Sequence, residues 1–136
     1  MSYYSTISIP EFKSDYTEEE IREKALEFAQ SLDKYTRWWF EDEGGYVFLK
    51  DRNEVFLEMD EYYGRHHATE ELAKFVSIVI KDDDFVILRE DLEDGDGVYE
   101  WLISKDKVRE IEHVQYVDGM QLDEFLKKNF YEKRIT

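Results

Sequence analysis

Residues 85–104 read FVILREDLEDGDGVYEWLIS, and this stretch decides the fold class. Its first four residues are apolar strand formers, and its last seven alternate, with Tyr99, Trp101 and Ile103 on one face. Two strand-like runs joined by a segment of Gly and Asp are typical of a β-hairpin. The segment 90–97 between them is therefore predicted to be a solvated hairpin tip.

Residues 3–60 predict one helix and several further strands. Thr17 followed by Glu20 is a capping box, because each side chain can satisfy a free backbone N–H of a first helical turn. Apolar residues at helical spacing follow this box, at Ile21, Ala25, Phe28 and Leu32. Strands are predicted at Tyr3–Ile9, Arg37–Phe40, Tyr46–Lys50 and Glu54–Asp60.

The remaining segments predict a second helix, a third strand of the meander and a C-terminal helix. The second helix follows a loop at Gly64–Ala68, is capped by Thr69 and has a buried stripe at Leu72, Phe75, Val76 and Val79. The third strand runs from Val108 to about Val117, and Leu122, Phe125, Leu126 and Phe130 mark the C-terminal helix. The sequence thus predicts an α+β fold, a single domain over 1–136, with an antiparallel sheet and two to three amphipathic helices.

Composition limits the class of protein. The 136 residues are 42% hydrophobic, which excludes a disordered chain, and they contain no cysteine and hence no disulfide or thiol nucleophile. No stretch approaches the roughly 20 apolar residues of a membrane helix. The N-terminal MSYYSTISIPEF lacks the pattern of a secretory signal, so a cytoplasmic location is expected.

Charge predicts the class of partner. The chain has 34 Asp and Glu against 18 Lys and Arg, which gives a formal net charge of −16. Such a field repels nucleic acid and anionic membranes, and it attracts basic protein surfaces. We therefore expect a non-enzymatic inhibitor or binding protein that docks onto a basic, nucleic-acid-binding protein, with no direct contact to nucleic acid or membrane.

Acidic groups at predicted turns and strand ends are the candidate partner-binding residues. Displayed at such positions, carboxylates can mimic the phosphate backbone that basic grooves bind. Trp38 and Tyr62 are candidate aromatic anchors, since Trp and Tyr are frequent in binding hot spots. The acidic candidates are Glu41, Asp42, Glu43, Glu58, Asp60, Glu61, Glu90, Asp91, Glu93, Asp94 and Asp96.

Signals for chemistry are sparse. The sequence has no nucleotide-binding glycine motif, nucleophile elbow or zinc-protease motif, so neither catalysis nor a cofactor is predicted. No EF-hand register starting at Glu90 or Asp91 places oxygen ligands where that loop needs them, so no metal site is predicted. An alternative is a nucleotide-type ligand or a minor enzymatic activity at Tyr63, Arg65, His66 and His67, with Arg37 or Arg52 as further cations. A toxin-neutralising immunity protein and a virion component are further alternatives.

Three segments resemble small, uncharacterised, phage-encoded acidic α+β proteins: YYSTISIP at 3–10, GYVFLKDRNEVFLEMD at 45–60 and DFVILREDLEDGDGVYEWLISKDKVREIEHV at 84–114. Those proteins likewise place an acidic turn before a tryptophan-bearing strand. The resemblance implies a phage protein that acts in the cytoplasm of a bacterial host, for example against a defence enzyme. It rests on no catalytic or ligand motif, so it assigns no functional residue.

Overall fold

The computed structural model describes residues 5–41, 45–58, 66–92, 98–112, 116–117 and 120–121. Three helices lie within them: α1 (Glu18–Ala29), α2 (Lys34–Glu41) and α3 (His66–Val79). The strands of the larger sheet are β1 (Ser5–Ser8), β5 (Phe85–Leu92), β6 (Val98–Ser104) and β7 (Lys107–Glu112). The other strands are β2 (Phe12–Lys13), β3 (Val47–Asp51), β4 (Glu54–Glu58), β8 (Tyr116–Val117) and β9 (Met120–Gln121).

The larger sheet is antiparallel, with the strand order β1-β5-β6-β7. Strands β5 and β6 pair from Phe85 opposite Ser104 to Asp91 opposite Val98, which confirms the predicted hairpin and the α+β class. Strand β7 continues the meander and is an edge of this sheet within the described part of the chain. A three-stranded sheet, in the order β2-β4-β3, and the short β8-β9 hairpin complete the described strands.

One hydrophobic core joins the helices to both larger sheets. Helix α3 places Leu72 and Phe75 in it, fully buried, and the hairpin adds Leu88, Trp101 and Ile103 from one face. Each such side chain contributes about 1.5–3 kcal/mol by leaving water, so the core supplies the main stabilisation of the fold. In the described residues, no helix is both long enough and apolar enough to cross a membrane.

Helix α1 confirms the capping box. The Glu20 backbone N–H donates to Thr17 Oγ1 at 3.2 Å, and the Thr17 N–H donates to Glu20 Oε1 at 3.0 Å. The pKa of the Glu20 carboxyl is lowered, first by the hydrogen bond from the Thr17 backbone N–H and then by the Thr17 side chain. Of the predicted apolar stripe, Ile21 and Ala25 are buried, whereas Leu32 lies after the end of the helix.

The strand predicted at Arg37–Phe40 is wrong, because this segment lies in helix α2. Asp33 Oδ1 accepts from the backbone N–H groups of Tyr35 at 3.0 Å and Thr36 at 2.9 Å, which is the geometry of a helix N-cap. Thr36 and Phe40, one turn apart, are then the buried face of the helix. Trp38 and Trp39 are therefore successive residues of a helix and not of a strand.

The start of α3 also differs from its prediction. The helix begins at His66, so His66, His67 and Ala68 are helical rather than part of a loop, and Thr69 lies inside the helix instead of capping it. Thr69 is fully buried and uses its hydroxyl for a hydrogen bond to strand β5. The predicted third strand ends at Glu112, and the predicted C-terminal helix lies outside the described residues.

Candidate functional site

Helix α2 presents two aromatic side chains to solvent. Tyr35 is 73% exposed and Trp38, three residues later, is 44% exposed. Residues three apart lie on the same side of a helix, so both rings share the outer face of α2, opposite the buried Thr36 and Phe40. Trp and Tyr side chains are enriched among the hot-spot residues of protein interfaces. We call Tyr35 and Trp38 the α2 aromatic face.

A chain of ring contacts supports this face from behind. Trp38 meets the half-buried Trp39 edge-on, with 5.0 Å between ring centroids. Trp39 in turn lies 5.5 Å from the buried Tyr46, and Tyr46 contacts Phe40 of the core at 5.2 Å. Aromatic pairs at these separations are worth about 0.5–1.5 kcal/mol each beyond the area they bury. Trp38 is therefore held on a packed support.

A backbone hydrogen bond to α2 fixes Tyr46 in this arrangement. The Tyr46 backbone N–H donates to the Trp39 carbonyl oxygen at 2.7 Å, which closes the chain back onto the helix. Gly45 makes this approach possible, because a Cβ atom there would stand 2.3 Å from the Trp39 carbonyl oxygen. Any side chain at position 45 would push the two segments apart and loosen the support of the aromatic face.

The predicted partner-binding residues have different outcomes. Trp38 and Glu41 lie together on α2, and Glu58 is exposed at the end of β4. Tyr35 was missed, although its three-residue spacing from Trp38 would have revealed it once the segment was assigned to a helix. The remaining candidates lie outside the described residues: Asp42, Glu43, Asp60, Glu61, Tyr62, Glu93, Asp94 and Asp96.

Glu90 and Asp91 do not lie in a loop tip, which corrects the prediction. Both belong to strand β5, where Glu90 is opposite Tyr99 and Asp91 is opposite Val98. Successive strand residues face opposite sides, so Glu90 points into the core and is fully buried, whereas Asp91 is on the other face. Glu90 therefore cannot take part in a surface that meets a partner.

Glu90 instead forms part of a buried polar cluster. The Thr69 hydroxyl of α3 donates to Glu90 Oε2 at 2.6 Å. Burial raises the pKa of Tyr46, the Glu90 charge raises it further, and the Thr69 side chain acts in the opposite direction. Among the described residues, no hydrogen-bond partner meets the Tyr46 hydroxyl. The cluster thus ties α3 to β5 beside the ring that supports the α2 aromatic face.

Several cationic side chains bind backbone carbonyl oxygens. Lys50 Nζ donates to the carbonyls of Ser14 at 3.0 Å and Tyr16 at 2.6 Å. Arg37 donates to the carbonyls of Ala29 at 3.2 Å and Leu32 at 3.1 Å, and also lies 3.8 Å from Glu41. Lys105 Nζ donates to the Ile78 carbonyl near the end of α3. These three cations therefore bind backbone carbonyls next to the ends of helices α1 and α3.

Carboxylates, in contrast, lie close to one another. Glu11 and Glu54 share a side-chain hydrogen bond, which, with some desolvation and the charges of Glu54 and Asp51, raises the pKa of Glu11. On α1 the exposed Glu19, Glu23 and Glu27 recur at four-residue spacing. Like charges at this spacing disfavour a helix by about 0.2–0.5 kcal/mol per pair. No Lys or Arg of the described residues forms an ion pair with these three glutamates.

Two of the four residues of the alternative ligand site lie on helix α3. His66 and His67 lie in the first turn of α3, while Tyr63 and Arg65 lie outside the described residues. Of the suggested further cations, Arg37 is bound to carbonyls of the α1–α2 connection, and Arg52 lies in the β3–β4 turn with a positive φ of 58°. Within the described residues no group of three or more His, Cys, Asp or Glu could hold a metal ion.

Comparison of the chain with protein-family models, with curated proteins and with solved structures found no match. The resemblance to phage proteins remains a prediction.

Proposed function

We propose that this protein is a non-enzymatic binding protein that docks an acidic surface onto a basic, nucleic-acid-binding protein partner. The observation that carries the proposal is that several cationic side chains bind backbone carbonyls, whereas some surface carboxylates lie next to one another. Lys50, Arg37 and Lys105 are directed at backbone carbonyls, while surface carboxylates such as Glu11 and Glu54 adjoin each other. The net charge of −16 gives the protein a negative electrostatic potential that attracts basic surfaces.

This field favours a basic partner over other classes of macromolecule. Negative potential slows the approach of nucleic acid and of anionic membranes, and it accelerates encounter with positively charged proteins. The stripe Glu19, Glu23 and Glu27 spaces its carboxylates by about 6 Å along the helix axis. A row of negative charge of this kind can occupy a groove that otherwise binds the phosphates of a polynucleotide.

Helix α1 carries this stripe at a cost in stability. Its first turn is acidic, which suits the helix dipole, but Glu23 and Glu27 lie beyond that turn and the last turn has no basic residue. A helix selected for stability alone would place Lys or Arg at these exposed positions. We infer that the charge serves recognition. A phage protein that blocks a host or defence enzyme, and an immunity protein that neutralises a nuclease toxin, would both use such a surface.

The test begins with affinity purification from bacterial lysate and identification of the captured protein. That protein is expected to be basic, and duplex DNA should displace it in competition. Replacing Glu19, Glu23 and Glu27 together with Gln should slow association at low salt and flatten its salt dependence, because surface charges steer encounter. Glu110→Gln on edge strand β7 is the control, and it should change the association rate less per charge removed. A partner that is not basic, or that DNA does not displace, would refute the proposal.

A further inference from the structure

We infer that the α2 aromatic face is an arginine-binding surface, at which guanidinium groups of the basic partner stack on Tyr35 and Trp38. This inference rests on the proposed function and names the side chain that the partner uses. The first observation is exposure: these are the two most exposed aromatic rings of the described residues, and they lie one turn apart. Their carbon surfaces would be covered if a partner side chain lay on them.

The second observation is a contrast with Tyr16. Two of the chain's own lysines lie over the Tyr16 ring, Lys24 Nζ at 4.5 Å and Lys105 Nζ at 5.5 Å from its centroid. Among the described residues no cation lies over Tyr35 or Trp38. Their faces are thus open to a cation from outside, which the net charge of −16 attracts.

The third observation is the position of Arg37 beside these rings. Its guanidinium is turned to the carbonyls of Ala29 and Leu32, toward the end of α1, and so does not lie over the neighbouring Trp38. Glu41, one turn beyond Trp38, is only loosely paired with Arg37, at 3.8 Å. A carboxylate beside an open aromatic ring can bind the edge of a guanidinium group while the ring receives its plane.

Arginine fits this arrangement better than lysine. The guanidinium group is planar, stacks on aromatic rings and is weakly hydrated, whereas the ammonium of lysine is a compact, strongly hydrated charge. Rigid support strengthens the effect, because Trp38 is already held against Trp39 and little ordering remains to be done on binding. An acidic protein that used charge alone would bind both cations equally.

The experiment compares an oligo-arginine with an oligo-lysine peptide of the same length, titrated into the full chain at low salt. Binding is followed by the fluorescence anisotropy of a dye on the peptide, so that the parent and the Trp38→Ala variant are measured in the same way. Oligo-arginine should bind more tightly, and Tyr35→Ala and Trp38→Ala should each weaken it by about 3- to 30-fold, the range of a cation–π contact. Oligo-lysine binding should change by less than about twofold.

Leu26→Ala is the control, because Leu26 is a large exposed side chain of the neighbouring helix and should leave both affinities unchanged. Circular dichroism verifies that each variant is folded, and Tyr35→Ala changes a side chain that is mostly in water. If the parent binds both peptides equally and neither substitution matters, the arginine-binding surface is refuted while the basic partner stands. If the parent binds neither peptide, both proposals are refuted.

Discussion

Reversing the charge of two adjacent residues, Glu90 and Asp91, should destabilise the fold to very different extents. Glu90→Lys places an ammonium group in the core and removes the acceptor of the Thr69 hydroxyl. Asp91→Lys changes a half-exposed side chain whose ion-pair partner, Arg89, is itself 46% exposed. The two substitutions are chemically alike, so their difference reports on position in the sheet.

The magnitudes follow from burial. An ammonium group buried in place of Glu90 costs several kcal/mol, by comparison with the roughly 3–5 kcal/mol lost when a buried ion pair loses one partner. The Thr69 hydroxyl, left without its acceptor, adds about 1–3 kcal/mol. Together these losses are a large part of the roughly 5–15 kcal/mol that stabilises a typical domain. An exposed ion pair such as Arg89–Asp91 is worth about 0–1 kcal/mol. Glu90→Lys should therefore be destabilised by about 3 kcal/mol or more relative to Asp91→Lys.

Urea unfolding followed by circular dichroism measures this difference. With a slope of about 1–3 kcal/mol per molar urea, the midpoint of Glu90→Lys should fall at least about 1 M below that of Asp91→Lys. Thr69→Val, which keeps the shape but removes the donor, should cost about 1–3 kcal/mol, and a double-mutant cycle with Glu90→Gln should show coupling. Equal midpoints for the two lysine variants would show that Glu90 is accessible in solution, and would refute the buried cluster.

Two further perturbations test other parts of the structure. Gly45→Ala should lower the free energy of unfolding by about 2–4 kcal/mol, because the new methyl group overlaps the Trp39 carbonyl and displaces the Tyr46 hydrogen bond; thermal unfolding should show a clear drop, and an unchanged melting temperature would contradict the close approach. Glu54→Gln should stabilise the protein at neutral pH, because the raised pKa of Glu11 means that its charged form is disfavoured in the fold. This destabilisation is absent below the ordinary glutamate pKa and develops as pH rises through the raised value. The gain in stability over the parent should therefore vanish in acid and shrink with salt. A gain that persisted in acid would disprove the repulsion.

Much of the fold could be predicted because local and tertiary preferences agree. The β5–β6 hairpin and the capping box of Thr17 depend on neighbouring residues in sequence, and both were predicted correctly. The segment after Asp33 was not, because Trp38 and Trp39 favour strands by propensity while the cap and the core contact of Phe40 favour a helix. Here the tertiary contact prevailed.

The candidate site was less predictable, because composition gives the net charge but not the direction in which each side chain points. Glu90 and Asp91 are equivalent in a list of acidic residues, and only the pairing register places one in the core and the other outside. The same holds for Arg37, whose turn toward backbone carbonyls depends on the packing of α2 against α1. Trp38 was identified as an anchor, but its partner Tyr35 became visible only on the helix.

The order of charged residues along the edge strand β7 disfavours pairing of the sheet with a second copy of itself. Two copies of strand β7 that pair through this edge about a two-fold axis perpendicular to the sheet are antiparallel. Residues directly opposite each other must lie on the same face of the sheet, so the axis passes between one residue and its own copy. An axis at Arg109 or at Glu110 sets that residue against itself. An axis at Val108 sets Lys107 opposite Arg109, and an axis at Ile111 sets Glu110 opposite Glu112. Each of these alignments places like charges opposite one another, and such repulsion is one way in which natural proteins keep exposed strand edges from pairing.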